Sequence, residues 1–284
     1  MRQLLILSGK GGTGKTTVAG AFIKLTGAGA YADCDVDAPN LHLVVSQTVP
    51  PRRSDYFGLP KAKIDRNQCV QCGLCREHCR FDAIPADYVV EEFACEGCGV
   101  CEKICPVGAV TLVPAVAGEL MLYVGDAVFS TAQLRMGSGT SGMLVTEVKK
   151  QMLSAASGTE LAIIDGSPGI GCPVIASLSG VDMVLIVAEP SISGISDMER
   201  IVKTARGFQT RLAVCVNKYN TNMEKTADIV RYCQENELPF VGKIPFDSKV
   251  VESVNQACSI VDVKCPAGEA VKAIYRQTMQ VLSA

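Results

Sequence analysis

Residues 69–79 (CVQCGLCREHC) and 95–105 (CEGCGVCEKIC) place eight cysteines in two runs of identical C-x2-C-x2-C-x3-C spacing. The short gaps let three thiolates wrap one face of an iron–sulfur cube, and the fourth cysteine of each run then ligates the other cube. The expected sets are Cys69, Cys72, Cys75 and Cys105 for one [4Fe–4S] cluster, and Cys95, Cys98, Cys101 and Cys79 for the second. Pro106 follows Cys105, as this motif wants, whereas Arg80 follows Cys79. Zinc is the rival metal, because paired C-x2-C units also build zinc sites. Two zinc sites would not need a third and a fourth cysteine in each run. A disulfide framework is a weaker alternative still, since thiols inside a cell stay reduced.

A second chemistry stands at the N-terminus. Residues 9–16, GKGGTGKT, match G-x-x-x-x-G-K-[ST], with the aliphatic run Leu4–Leu7 before and a helical pattern from about Gly14 to Leu25 after. Backbone N–H groups from Gly11 to Thr16 would cradle phosphate oxygens at the helix N-terminus. Lys15 would reach the β- and γ-phosphates and Thr16 would bind Mg²⁺. Gly9, Lys10, Gly11, Gly12, Thr13, Gly14 and Thr17 complete the expected nucleotide cradle, with ATP or ADP as its ligand.

The elements that must position these groups follow from the hydrophobic pattern. LAIIDG at 161–166, VDMVLIVAE at 181–189, LAVCVNK at 212–218 and FVGKIP at 240–245 read as strands. Helical stretches follow them at 172–180, 194–206, 223–237 and 249–257, and a closing helix spans 268–282. Strands that are aliphatic without alternation, interleaved with helices, predict an α/β fold: a mostly parallel sheet covered by helices on both faces. The cysteine block interrupts the series, flanked by PPRRSDYFGLP and VPAVAG. The expected organisation is therefore a nucleotide-binding domain in two parts, 1–60 and 115–284, with an inserted ferredoxin-like α+β domain at 61–114. The halves of the insert repeat at an offset of 26 residues, from Cys69 to Cys95.

Composition excludes several functions. The chain has 284 residues, a net charge of −2 and 48% apolar residues, so no general attraction to nucleic acid or to an anionic membrane is expected. No apolar run approaches a membrane span, and MRQLLILSGK is too soon interrupted for a signal peptide, so a cytoplasmic location is expected.

With two lysines in GKGGTGKT, the loop resembles the deviant phosphate loop of the MinD/ParA/nitrogenase-iron-protein class of P-loop ATPases. The whole chain resembles the MinD/Mrp-type members that carry an inserted two-cluster ferredoxin domain. The resemblance implies that Lys10 reaches across a dimer interface to the partner's nucleotide. ADCDVDAPNL at 32–41 looks like the class's first switch, with Asp35 orienting the attacking water near Mg²⁺ and Asp33 and Asp37 flanking it. IIDGSPG at 163–169 looks like the second switch, with Asp165 in the Mg²⁺ shell and Gly169 near the γ-phosphate. VNK at 216–218 implies that Asn217 bonds the adenine, and IPFD implies a second base-side loop at Pro245 and Asp247. Catalysis would fall to Lys10, Lys15 and Asp35.

Cys172, seven residues after Asp165, matches a bridging-cluster cysteine of the nitrogenase iron protein, but a second ligand from 118–144 is missing. A bound metal, a labile cluster or a plain helix-start residue all remain open for it. Cys34, Cys215, Cys233, Cys258, Cys265, His42 and His78 read as structural or incidental. The implied function is ATP hydrolysis coupled, through changes in a homodimer or a heterodimer with a related ATPase, to electron transfer through the clusters. The alternative is a carrier that delivers clusters or metallocofactors to an assembly partner. A membrane-bound positioning ATPase ranks last, because EAVKAIYRQTMQVLSA lacks a basic amphipathic face.

Overall fold

The run RQLLIL forms strand β1 (Arg2–Leu7), buried at every position after the first, as a strand covered on both faces must be. The computed structural model describes all 284 residues. After β1 come α1 (Lys15–Thr26), β2 (Ala30–Asp33), β3 (Arg52–Phe57), β4 (Lys61–Ile64), α2 (Leu74–Glu77), α3 (Val100–Ile104), β5 (Val110–Val113), β6 (Val116–Val124) and β7 (Val128–Leu134). The chain continues through α4 (Ser141–Ala155), β8 (Leu161–Asp165), α5 (Cys172–Leu178), β9 (Met183–Ala188), α6 (Ile192–Arg206) and β10 (Arg211–Asn217). It closes with α7 (Met223–Glu235), β11 (Phe240–Ile244), α8 (Lys249–Asn255) and α9 (Pro266–Ser283).

Two compact units emerge. The first comprises residues 1–53, 120–133 and 141–284; the second comprises 54–119 and 134–140. The first unit is an α/β P-loop fold. Its strands run in the order β11-β10-β9-β1-β8-β2-β7, continuing into β6. β1 pairs in parallel with β8 and β9, and β2 pairs in parallel with β8 and β7. The register sets Ile6 beside Asp165 and Asp165 beside Asp33, so two carboxylates end neighbouring strands at the foot of the phosphate loop. Beneath them, Leu4, Ile6, Phe22, Phe129, Ile163 and Leu185 are buried in one core.

The sequence pattern misses β3, β6 and β7. In β7 the buried positions include Ser130 and Thr131, so a buried strand reads as polar. Ser130 satisfies its hydroxyl by donating to the Val148 carbonyl at 2.8 Å. In RRSDYF only Tyr56 is buried, which leaves β3 without an apolar signature.

The second unit is larger than the expected 61–114. It holds an antiparallel pair, β4 with β5, in the register Lys61↔Val113 to Ile64↔Val110. The 26-residue repeat is visible in the backbone. Gln71 and Gly97 both take left-handed φ values, of 54° and 64°, and so do Gly73 and Gly99, at 85° and 77°. Each of those two glycines caps the start of a short helix, α2 or α3. The two cysteine runs therefore turn their chains in the same way. Cys75, Cys95, Ala62, Ala83, Ile84 and Val110 form the unit's small core.

Candidate functional site

The turn after β1 delivers Lys15 to the first residue of α1, with Gly14 before it at φ 92°. A side chain at Gly14 is excluded twice, by that φ and because its Cβ would lie 2.2 Å from Asn217 Nδ2. Lys15 Nζ meets Asp165 Oδ1 at 2.5 Å, and both side chains are buried, at 5% and 0% exposure. Thr16 Oγ1 donates to the other oxygen, Asp165 Oδ2, at 2.7 Å. The two groups expected on phosphate and Mg²⁺ thus both rest on one strand-end carboxylate.

Asp33 has a different task. Its carboxylate accepts backbone N–H groups from Asp35 at 3.0 Å and from Asn40 and Leu41 at 2.9 Å each. It staples the loop that carries Asp35, and burial followed by the nearby Asp165 charge pushes it up to about 7. Asp35 is half-buried, and burial raises it too, although Lys15 opposes the shift. The second switch is tied to the first: Cys34 N–H donates to the Asp165 carbonyl at 2.8 Å, and the Ser167 hydroxyl donates to the Cys34 carbonyl. Gly169 N–H donates to the Ser8 carbonyl at 3.0 Å.

A cleft of about 420 Å³ opens on these groups. Lys10 to Thr17, Asp35 and Pro168 line one part of it, and Leu43, Val44, Val250, Val251 and Val254 supply an apolar wall. Such a mixture suits a phosphate chain joined to a flat, largely apolar ring system.

The base-side residues are differently employed. Asn217 Nδ2 donates to the Thr13 carbonyl at 2.6 Å, and its Oδ1 accepts the Lys218 N–H at 2.9 Å. Asp247 accepts the N–H groups of Lys249 and Ala267 at 3.0 and 3.3 Å. Neither Pro245 nor Asp247 lines the cleft. Asn217 thereby braces the phosphate loop. Its replacement by Ala is expected to weaken ATP and GTP binding equally, by roughly three- to tenfold, the effect of one lost hydrogen bond. Titration with both nucleotides checks this; a loss confined to ATP would return Asn217 to the base.

Lys10 is folded back on its own chain. Its Nζ lies 2.7 Å from Glu189 Oε2, and Lys218 Nζ lies 3.6 Å from Glu189 Oε1. Sequence reasoning missed Glu189. Its signal was a carboxylate directly after the wholly buried strand β9. Also missed was Lys149, a buried ammonium that donates to the Ser177 and Ser179 carbonyls at the C-terminal end of α5 at 2.7 and 2.5 Å. Burial pushes Lys149 down and the neighbouring Cys34 thiol up to about 12, so Cys34 is an inert core residue.

In the second unit the cysteines fall into two neighbourhoods. Burial raises the Cys75 thiol, and Cys69, Cys105 and Cys72 add to that push. Cys79, Cys95, Cys98 and Cys101 line one small cavity with Phe81, Ile84, Val90 and Leu112. No three or more His, Cys, Asp or Glu side chains in the chain are grouped so that they could hold a metal ion. Cys172 begins α5, exposed, against Gly142 of α4, with no companion cysteine there.

The family model described as the CobQ/CobB/MinD/ParA nucleotide binding domain (CbiA) matches residues 4–260. The chain belongs to this family. An uncharacterised protein of Methanocaldococcus jannaschii is 30% identical over 287 residues, covering 99% of this chain and 97% of that one. The septum site-determining protein MinD of Pyrococcus horikoshii, solved with Mg-ADP, superposes with a TM-score of 0.59 at 17% identity, covering 98% of this chain and 95% of that chain. At that identity the likeness shows the fold. A shorter match joins 52 residues to the pyruvate synthase subunit PorD of Methanothermobacter marburgensis at 31% identity, covering 18% of this chain and 64% of that one. The first unit is thus a MinD/ParA-like nucleotide-binding unit. No helix in the chain is long and apolar enough to cross a membrane.

Proposed function

We propose that the first unit binds and hydrolyses Mg·ATP and that the second holds two [4Fe–4S] clusters. Nucleotide-driven closure of a dimer, with itself or with a related ATPase, is coupled to electron transfer through those clusters. The observation that carries this reading is the exchange of members between the cysteine runs. Cys105 keeps company with Cys69, Cys72 and Cys75, and Cys79 with Cys95, Cys98 and Cys101. A zinc ion draws its sulfurs onto one centre, about 2.3 Å from each. Two cubes account for all eight thiolates at this spacing, the fourth cysteine of each run serving the other cube.

When bound, such clusters supply single-electron transfer. The chain's own contribution is the thiolates and the amides that steady them. Ala62 N–H donates to Cys95 Sγ at 3.4 Å, and Ala109 N–H donates to Cys105 Sγ at 3.2 Å. In the first unit, Lys15 would hold the β- and γ-phosphates, and Thr16 and Asp165 would hold Mg²⁺, which would supply neutralisation of the phosphate charge. Asp35 orients the attacking water, and Lys10 reaches the partner's nucleotide. A link along the chain supports the coupling. β2 ends at Asp33, its parallel neighbour is β7, and β7 runs on into the second unit at Leu134.

Anaerobic reconstitution followed by iron and sulfide analysis tests the reading. About eight iron and eight sulfide per chain are expected, with a brown colour. Stoichiometric zinc with no visible absorbance would remove it. Clusters that pass intact to an apo-acceptor, rather than cycling in place, would favour the carrier reading instead.

A further inference from the structure

Glu189 follows β9 in a turn that leaves it little freedom. Its carbonyl accepts the Ser191 N–H at 2.8 Å, and the Ser191 hydroxyl accepts the Gly194 N–H at 3.0 Å, capping α6. A Cβ at position 194 would lie 2.3 Å from the Glu189 carbonyl, so the chain there is tightly folded. From this fixed turn the Glu189 carboxylate meets two lysines at once. Lys10 Nζ is 2.7 Å from Oε2 and also reaches Ser193 Oγ at 3.4 Å. Lys218 Nζ is 3.6 Å from Oε1 and is anchored at 2.8 Å by the Gly12 carbonyl. The Lys10 backbone is fixed as well, because its carbonyl accepts the Ser8 hydroxyl at 2.9 Å. What can move is the Lys10 side chain, 39% exposed beside a carboxylate that is 22% exposed.

We propose that Glu189 is a positioning residue: it parks Lys10 on its own chain and so restrains closure onto a second copy until that copy presents a nucleoside triphosphate. The inference rests on the reading of Lys10 as a lysine that acts across a dimer. A lysine cannot serve its own Glu189 and a partner's phosphate together, so closure must break the pair. A triphosphate, with more negative charge than a diphosphate, competes better for the ammonium. Lys218 stays with Gly12 and keeps the carboxylate from being left alone when Lys10 departs. The restraint is consequently reversible and cheap to release. Lys10, bound to it, holds Glu189 below the usual carboxylate range.

The magnitude follows from exposure. A pair this accessible shifts an equilibrium by roughly 1.5- to fivefold. A symmetric dimer releases two pairs, so the factors multiply to roughly two- to twenty-five-fold in dimer dissociation constant.

The experiment uses the full chain and Glu189→Gln, which keeps the shape and removes the charge. First, the nucleotide-free proteins are treated with an amine-acetylating reagent, and modification of Lys10 and Lys24 is followed by peptide mass spectrometry. Glu189→Gln should speed the acetylation of Lys10 several-fold and leave Lys24 unchanged; equal Lys10 rates overturn the parking. Second, sedimentation with a non-hydrolysable ATP analogue measures dimerisation. The variant should dimerise more tightly than wild type by the stated factor, with the difference shrinking in 1 M salt as the pair is screened. Equal or weaker dimerisation of the variant overturns the restraint. A wild-type chain that never dimerises with the analogue overturns the reading of Lys10 itself, and the restraint falls with it. In that case the acetylation result still reports separately whether Glu189 holds Lys10.

Discussion

Lys15→Met is expected to weaken Mg·ATP binding by roughly a hundredfold, the loss of charge-assisted hydrogen bonds to two phosphates. It should also destabilise the free protein. Asp165 is fully buried, and Lys15 is its cationic partner at 2.5 Å. Removing the lysine leaves a buried carboxylate with the Thr16 hydroxyl as its remaining side-chain donor, which costs about 3–5 kcal/mol. The two effects separate in a double variant. Lys15→Met with Asp165→Asn removes the stranded charge, so the thermal midpoint should recover while calorimetric titration still finds weak binding. Unchanged affinity in Lys15→Met would show that the loop is not the nucleotide site. Recovered affinity in the double variant would show that Lys15 acts only as the counter-ion of Asp165.

Much of the first unit was legible because its determinants are local. The phosphate loop needs glycines, a lysine and a threonine at fixed offsets, and GKGGTGKT supplies them between an apolar run and a helical pattern. The strands β1, β8, β9 and β10 are almost unbroken aliphatic runs, as strands covered on both faces must be. The edge of the sheet was not legible. β7 hides Ser130 and Thr131 in the interior, and the partner that satisfies the Ser130 hydroxyl is a carbonyl 18 residues away, at Val148. The ion-pair partners of the loop were equally hidden. Glu189 is 179 residues from Lys10, and only the sheet order, which sets β9 beside β1, brings them together. Asn217 illustrates a subtler limit. The motif implies a place at the adenine, but its amide is turned to the Thr13 carbonyl of the phosphate loop, and motif spacing carries no information about which of two neighbours an amide will choose.

Asp35→Asn is expected to leave ATP affinity within about twofold of wild type while slowing hydrolysis by roughly a hundred- to ten-thousandfold, the usual range for a lost proton acceptor. The structure argues for Asp35 over its neighbours. Asp33 is fully buried, and three backbone N–H groups of the loop it holds occupy most of its acceptor sites. Asp37 is exposed and does not line the cleft, whereas Asp35 does, half-buried beside Lys15. The substitution should not disturb the loop, because what fixes residue 35 is its backbone N–H on Asp33, and asparagine keeps that bond. Burial that raises Asp35 also brings it nearer to the pH at which it must accept a proton, so the same environment that makes the carboxylate costly makes it useful. Asp33→Asn supplies the contrast. It weakens the acceptor that holds three N–H groups, so it should loosen the loop, lower the thermal midpoint and impair hydrolysis and binding together. Single-turnover phosphate release, with calorimetry alongside, distinguishes the two variants. Wild-type turnover in Asp35→Asn removes this carboxylate from the chemistry, and unchanged stability in Asp33→Asn removes the staple that is argued to hold it in place.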